Sequence, residues 1–266
     1  MTSWFVGVRL VLGIVAVSGF VSACTTPRPP KKVSVSERVQ FDRAIGYELA
    51  QQFEPEIKFK KVPEITAFLR KIGQSLADAT ADLHLPSVDV DVFVDEEGKY
   101  TAYGLPGGKL YVSTAFLKTA EFENEVAAIL AIQLGHLQKE HALEYLRKNY
   151  PAMVSLDSVA PGKNTGEPVQ INYLGAGGLF DFTEKQRTEA IEAGVNILYA
   201  AGYDPRGLVT VYQRLVENPG RSPYPSRTVD KLLETTRSVI ALHSPLRNPI
   251  VRTQAFVAMR KRFQKL

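Results

Sequence analysis

The side chains best suited to metal binding or nucleophilic chemistry are few in this chain of 266 residues: it has one cysteine and four histidines. The single Cys24 excludes an internal disulfide framework and a cysteine-based zinc ribbon, so a metal site would need histidines and carboxylates. His136 and His141 are five residues apart on a long helix predicted from about Glu121 to Lys148. That spacing turns the second ring by about 140° around the helix axis, so we expect the two rings not to face one metal ion.

Cys24 follows a different signal. An apolar run over residues 10–20 comes after Arg9 and ends in the small residues of the sequence VSAC, at 21–24. The run is shorter than the roughly 20 apolar residues of a membrane span, and it is typical of a secretory signal. VSAC resembles a bacterial lipobox, in which the cysteine is acylated and becomes the new N-terminus. We predict a signal peptide over 1–23 with lipidation of Cys24; an unlipidated signal peptide is the alternative.

The residues after Cys24 and the overall charge indicate where the protein works. Residues 24–35 are rich in proline and lysine and are predicted to form a lipidated tether. Thr25 beside the cysteine favours the outer membrane of a bacterial cell envelope, facing the periplasm. A net charge of +4, spread evenly, gives no basis for a nucleic-acid partner. The expected partners are therefore the membrane, through the lipid anchor, and another polypeptide.

Periodicity divides residues 36–266 into elements of one domain. Strict alternation at 88–92 predicts a strand, followed by strands at 100–105 and 109–113. Between Val126 and Gly135 the long helix has only one strongly polar side chain, Gln133, which predicts a buried helix. The pattern predicts an α+β fold, mostly helical, with a small antiparallel sheet. The other predicted elements are helices from Ser36 to about Phe53, from Pro63, after Thr183, at 205–217, at 226–240 and from about Pro249 to Lys265, and a loop at 151–178.

Three segments together resemble the HExxH zinc metallopeptidases of the HtpX and BepA kind, metallopeptidase family forty-eight. Residues 102–112 (AYGLPGGKLYV) are similar to the family's strand, Pro-Gly-Gly turn and following strand. Residues 125–136 (EVAAILAIQLGH) are in register with the helix that carries HExxH, and 187–194 (RTEAIEAG), followed by AGYDP at 201–205, resemble the ExEADxxG helix. The resemblance covers roughly residues 36–260 and implies a zincin-like peptidase domain.

The chain departs from that family at the residues that do the chemistry. HExxH places two histidines four apart on one helix face, with a glutamate that deprotonates zinc-bound water. On the resemblance, the functional positions are degenerate and only the histidine at 136 is retained; the residues at these positions are Ile132, Gln133, His136, Arg187 and Ile191.

These replacements remove the zinc chemistry that the family's residues would supply at the same positions. An amide such as Gln133 cannot take the proton of a zinc-bound water. A unit charge such as that of Arg187, 4 Å from a dication, would cost roughly 8 kcal/mol at an effective dielectric of about 20. Ile132 and Ile191 are expected to fill the former site with hydrocarbon. Two interpretations of His136 remain, a leftover ligand or a core histidine hydrogen-bonded to backbone, and we expect Glu189 to point away from the ligand face.

The predicted function is that of a lipid-anchored envelope protein in protein quality control, with the peptidase fold and without peptidase chemistry or a zinc cofactor. On the resemblance, extended polypeptide would bind as an added strand, along Gly107, Gly108, Lys109, Leu110, Tyr111 and Val112. Two alternatives stay open. One is an active zinc-dependent metalloendopeptidase with rearranged ligands, and the other is a structural envelope lipoprotein that uses a different surface.

Overall fold

Capping residues set where the first and sixth helices begin in the computed structural model, which describes residues 34–80, 83–85, 87–154 and 180–266. The Ser34 hydroxyl accepts the Glu37 N–H at 3.2 Å, and the Glu37 carboxylate accepts the Ser34 N–H at 2.9 Å. Thr183 and Gln186 form the same capping box. The first helix therefore begins at Val35, one residue before the Ser36 that we predicted as its N-cap.

Nine helices lie in the described part of the chain, and none of them is long and apolar enough to span a membrane. They are α1 (Val35–Phe53), α2 (Pro63–Asp78), α3 (Thr114–Thr119), α4 (Glu123–Gln138), α5 (His141–Asn149), α6 (Glu184–Ala200), α7 (Arg206–Glu217), α8 (Ser226–Ala241) and α9 (Gln254–Phe263). The predicted signal peptide, Cys24 and residues 24–33 of the predicted tether lie outside the described residues, as does 155–178 of the predicted loop.

The long helix predicted over 121–148 is in fact two helices. Glu140 adopts the left-handed conformation, with φ 56° and ψ 25°, between the end of α4 and the start of α5. Non-glycine residues seldom adopt a positive φ, so the sequence gives no sign of this break. The Glu140 carboxylate forms ion pairs with Arg38 of α1 and Arg147 of α5. These contacts fix the chain where its direction changes.

The sheet has four strands in the order β1 (Lys58–Phe59), β2 (Asp89–Val94), β4 (Lys109–Ser113) and β3 (Ala102–Leu105). The α+β, mostly helical class is confirmed, but the sheet is mixed rather than antiparallel because β2 and β4 run parallel. The segment after β2 does not fold back against β2. It crosses to the far side of β4, so β3 becomes an edge strand and β4 lies inside the sheet.

Two apolar clusters cover the two faces of this sheet. The larger one joins α2, α4, α6, α7, α8 and α9 to side chains of β2 and β4. The smaller one joins α1 and α5 to the opposite face, around Leu49, Phe53 and Tyr111. Within it, Gly46 of α1 lies so close to the Pro-Gly-Gly turn that a Cβ atom there would be 1.8 Å from the Pro106 carbonyl oxygen. Helix α1 is thus packed directly onto that turn.

Helix α4 is almost entirely buried, as its sequence predicted. Its N-terminal end is held by polar side chains: Arg214 of α7 donates to both oxygens of the Glu125 carboxylate at 3.1–3.2 Å. The Glu123 carboxylate accepts the Tyr203 hydroxyl at 3.1 Å and the Thr253 N–H at 3.0 Å. These contacts connect the start of α4 to α7 and to the segment before α9.

Candidate functional site

Helices α4 and α6 cross at very short range and bring the degenerate positions together. A Cβ atom at Gly135 would lie 2.6 Å from the Ala190 carbonyl oxygen, and one at Gly194 would lie 2.9 Å from the Cδ1 atom of Ile132. Ile132 and Ile191 are both buried in the larger apolar cluster. Hydrocarbon therefore occupies two of the positions where the family resemblance implies a ligand and its supporting carboxylate.

Two histidines that were expected to point apart are in contact. The Nδ1 atoms of His136 and His141 are 3.0 Å apart, and His141 Nε2 is 3.1 Å from Glu189 Oε2. The prediction from helical spacing was wrong because the break at Glu140 turns the His141 ring back towards His136. Helix α5 presents His141 to α6, so Glu189, which was expected to point away from the ligand face, contacts the His141 nitrogen that lies opposite to His136.

The hydrogen bonds of this trio fix the tautomers. A carboxylate only accepts, so His141 donates from Nε2 to Glu189, and its Nδ1 is left as an acceptor. His136 then donates from Nδ1, which leaves the lone pair on its Nε2. The interpretation of His136 as a core histidine assumed a hydrogen bond to the backbone. The partner that His136 has is another imidazole, that of His141. The trio can position one imidazole and shift a proton along it.

Burial keeps both imidazoles neutral. The pKa of His136 lies well below its ordinary value, chiefly because of burial and then because of His141 and the positive charge of Arg187. Burial also lowers the pKa of His141, against the opposing effect of Glu189. The pKa of Glu189 is lowered in turn by its hydrogen bond with His141. The carboxylate is therefore ionised and the histidines are unprotonated near neutral pH.

Phe182 contacts both Arg187 and the trio, and so connects them. The Phe182 ring stacks on His136 with centroids 4.1 Å apart, and its carbonyl oxygen accepts a hydrogen bond from Arg187 Nη1. The guanidinium also lies 5.8 Å from the centroid of the Tyr224 ring. Arg187 Nε is buried and finds no hydrogen-bond partner among the described residues. Arg187 thus contacts a carbonyl oxygen and an aromatic face.

The residues at this site do not fit a catalytic zinc ion. Such an ion takes three protein ligands and one open position. Ile132 offers no donor, Arg187 brings a positive charge, and Glu189 contacts His141 on the nitrogen opposite to His136. Within the described part of the chain, no three His, Cys, Asp or Glu side chains are grouped so that they could hold a metal ion.

A cavity of about 30 Å³ lies beside His136, between α1 and the Pro-Gly-Gly turn. Asp42 and Glu140 also line it. Burial raises the pKa of Asp42, and the charges of Arg38 and Arg147 oppose that shift. One Asp42 carboxylate oxygen is buried without a hydrogen-bond partner among the described residues. The cavity has room for about one water molecule, which could supply that bond.

The edge of the sheet next to this site belongs to β3. The Thr101 carbonyl accepts from Ser113, which makes 101, 103 and 105 the residues bonded to β4 and turns the backbone groups of Ala102 and Gly104 outward. Gly104 lies on α4, where a Cβ atom would be 3.2 Å from the Cβ of Gln133. No strand lies beyond β3 in the described residues.

The prediction that strand 109–113 offers a free edge is therefore wrong, because β4 pairs with β2 on one side and β3 on the other. Lys109, Leu110, Tyr111 and Val112 cannot act as a main-chain template. Gly107 and Gly108 adopt positive φ values of 81° and 93°, and a Cβ at Gly108 would lie 2.7 Å from the Ser87 carbonyl oxygen. The turn itself thus requires both glycines.

Sequence reasoning missed His141, Glu189, Phe182 and Tyr224 as members of this site. Only the five-residue spacing of the histidines pointed to them, and it misled without the helix break. His243, which follows α8, stacks on Tyr199 with ring centroids 4.5 Å apart.

Comparisons with known proteins agree with the motifs. Residues 63–246 match the family model described as Peptidase family M48. The chain is 32% identical to the mitochondrial metalloendopeptidase OMA1 of Arabidopsis thaliana over 142 residues, which are 51% of this chain and 27% of that protein. It is 21% identical to the beta-barrel assembly-enhancing protease of Escherichia coli O157:H7 over 234 residues, 84% of this chain and 47% of that protein. The chain spans less than half the length of these two curated relatives.

Proposed function

We propose that this chain, which belongs to peptidase family M48 as its motifs predicted, binds extended polypeptide beside α4 without cleaving it. One observation carries the proposal: an open strand edge lies next to positions where the catalytic residues of the family are replaced. Gly104 of this edge lies against Gln133, and Ala102 is on the same edge two residues before it. The base position there holds an amide, and a guanidinium stands where the family resemblance implies a ligand.

An open edge strand binds an extended chain through main-chain hydrogen bonds, which need no metal. Strand β3 offers two N–H groups and two carbonyl oxygens for this purpose, from Ala102 and Gly104. Ala102, Tyr103 and Gly104 are half-buried, so the edge is accessible while it rests on α4. We place this binding in the bacterial envelope, with the protein lipid-anchored through Cys24 on the outer membrane facing the periplasm. The names of the bacterial relatives support a role in protein quality control.

Replacing the Ala102 amide tests the binding surface. We expect Ala102→Pro to remove one outward N–H and to weaken the capture of an unfolded polypeptide by roughly two- to tenfold, since one main-chain hydrogen bond contributes about 0.5–1.5 kcal/mol. Ala102→Ser is the matched control, because it keeps the N–H at almost the same side-chain size. Binding is measured by fluorescence anisotropy of a labelled, reduced carboxymethylated protein, with the melting temperature followed in parallel.

Equal capture by the folded Ala102→Pro and Ala102→Ser variants would move the binding surface away from β3. That result would favour the structural envelope lipoprotein, the second of the alternatives. Leu110→Pro is unsuitable as a test, since β4 is internal and the change would break the ladder between β2 and β4.

The contact between His136 and His141 leaves one other function to test, an active zinc metalloendopeptidase with rearranged ligands, although the described residues offer no third ligand there. Metal analysis of the purified full-length chain, with a peptide-hydrolysis assay beside it, separates the two functions. We expect no stoichiometric zinc and no chelator-sensitive hydrolysis. We also expect none after Ile132→His alone, because Arg187 and Gln133 remain. Stoichiometric zinc with hydrolysis that chelators abolish would contradict the proposal of binding without cleavage.

Restoring the family pattern gives the complementary test. The variant that combines Ile132→His, Gln133→Glu, Arg187→Glu and Ile191→Asp is the smallest set that recreates the implied ligands, base and supporting carboxylate. We expect zinc binding by this variant and none by the single Ile132→His variant.

A further inference from the structure

The first turns of α6 and α8 enclose a cavity of about 160 Å³ that is lined mainly by hydrogen-bond donors. Positions 184, 187 and 188 share one face of α6, and positions 227, 228, 231 and 235 share one face of α8. The charged and hydroxyl groups on its wall include Arg187, Arg227, Lys231, Thr188, Thr228 and Glu184. Three cationic side chains therefore face one carboxylate.

The cationic groups of this cavity are only partly neutralised. Lys231 pairs with Glu184. Arg227 is exposed and makes no ion pair or hydrogen bond with any residue that the structure describes, and Arg187 Nε is likewise without a partner in that part of the chain. The pKa of Glu184 is lowered, first by its hydrogen bond with Lys231 and further by the charges of Arg187 and Arg227. The cavity thus has a positive potential and unused donors.

The backbone adds to this potential. Both helices begin at the cavity, and the N-terminal end of a helix carries partial positive charge. Helix α8 has no side-chain cap at its start, so no capping side-chain oxygen accepts a hydrogen bond from its first N–H groups. Two arginines, one lysine, threonine hydroxyls and free amides are the groups that bind phosphate and carboxylate in proteins.

We infer that the cavity between the first turns of α6 and α8 is a binding site for a small oxyanion, a phosphate or a carboxylate. Arg187 and Arg227 supply the forks, and the threonine hydroxyls supply neutral donors. Without the anion, Glu184 forms an ion pair with Lys231, so this carboxylate competes with the anion for the lysine. The site goes beyond the proposed polypeptide binding and does not depend on it, because it uses neither β3 nor Gln133.

Calorimetric titration of the full-length chain in nonionic detergent, with inorganic phosphate at constant ionic strength, tests the site. We expect saturable binding that Arg227→Gln weakens about tenfold or more, since a hydrogen bond to a charged group contributes about 1.5–3 kcal/mol. Glu184→Gln is expected to strengthen binding, an effect that damage to the fold would not produce. Arg237→Gln, at an exposed arginine of the same helix that does not line the cavity, is the matched control and should bind as the parent does.

A second titration with acetate distinguishes the two sources of the oxyanion. Saturable binding of either anion with this pattern of variants supports the site. Absence of saturable binding for both anions, or an equal loss in Arg227→Gln and Arg237→Gln, overturns it. Melting temperatures measured without added anion show that each variant is folded, so a loss of binding can be assigned to the cavity.

Discussion

The two ends of helix α4 differ in how their buried titratable side chains are paired, although the Oδ1 atom of Asn124 at the N-terminal end also has no hydrogen-bond partner among the described residues. At the N-terminal end, Glu125 meets Arg214, and Glu123 meets Tyr203 and Thr253, so each carboxylate has its partners. At the C-terminal end, His136 depends on His141, and unpartnered atoms of Arg187 and Asp42 lie close by in the described part of the chain. Native proteins satisfy nearly all their buried polar groups, so unpartnered titratable groups such as these need an explanation. The first end holds the fold together, and the second is the candidate site.

Breaking the ion pair at the N-terminal end should have the largest effect. The Glu125 side chain is 1% exposed and Arg214 is 17% exposed. Glu125→Ala leaves a nearly buried guanidinium without its partner, and we expect the free energy of unfolding to fall by about 3–5 kcal/mol. Urea denaturation measures the change.

The double variant Glu125→Leu and Arg214→Met is its control, since it removes both charges at similar volume. We expect this pair to lose much less stability than Glu125→Ala alone. A double variant that is as unstable as Glu125→Ala would show that apolar packing, rather than the uncompensated charge, governs this end of α4.

Acid should act mainly on the other end of α4. The folded-state pKa of His136 and of His141 is lowered, so the unfolded chain takes up these protons first. Stability contributed in this way is present above about pH 6.5 and is lost as the pH falls below it, by about 1.4 kcal/mol for each unit of pKa difference. His136→Gln should flatten the decline in urea midpoint between pH 7 and pH 5, and His84→Asn, at an exposed histidine, should not. The same slope in His136→Gln and the parent would contradict this assignment.

Glu189→Gln should have the smallest effect on stability. Its carboxylate is 34% exposed, and the bond to His141 is a single one, so we expect a loss of about 0.5 kcal/mol at neutral pH. The clearer readout is the imidazole nitrogen spectrum of His141 by NMR. With an amide that can also donate, the preference for a proton on Nε2 should weaken. An unchanged tautomer population would show that His136 alone orients the ring.

Local signals predicted most of the elements because each rests on nearby residues. Pro63 opens α2, Thr183 caps α6, and β4 has the predicted bounds Lys109–Ser113. The break before α5 was missed because Lys139 and Glu140 are ordinary helix formers, and the ion pairs of Glu140 with Arg38 and Arg147 in the folded chain leave no local sequence signal. The place of β4 inside the sheet was missed because strand order is a matter of long-range pairing.

The candidate site was predicted in part for the same reason. The degenerate positions follow from motif register along the chain, and the burial of Ile132 and Ile191 agrees with their apolar character. The contact of His136 with His141, and that of Phe182 with His136, depends on how the chain returns to α4 from distant positions. The spacing of residues along one helix does not show which distant segments fold back against it.

The close packing of Gly46 on the Pro106 carbonyl has a consequence for where this unit can be cut. The family match begins at residue 63, after α1. An excision at that boundary would strip Leu49 and Phe53 from the smaller apolar cluster and expose the sheet face beneath them to solvent. It would also remove the backbone that braces the Pro-Gly-Gly turn. The smallest part of this chain that can be transferred as a folded unit is therefore longer than the segment that matches the family. A gene fusion or domain exchange would have to include α1.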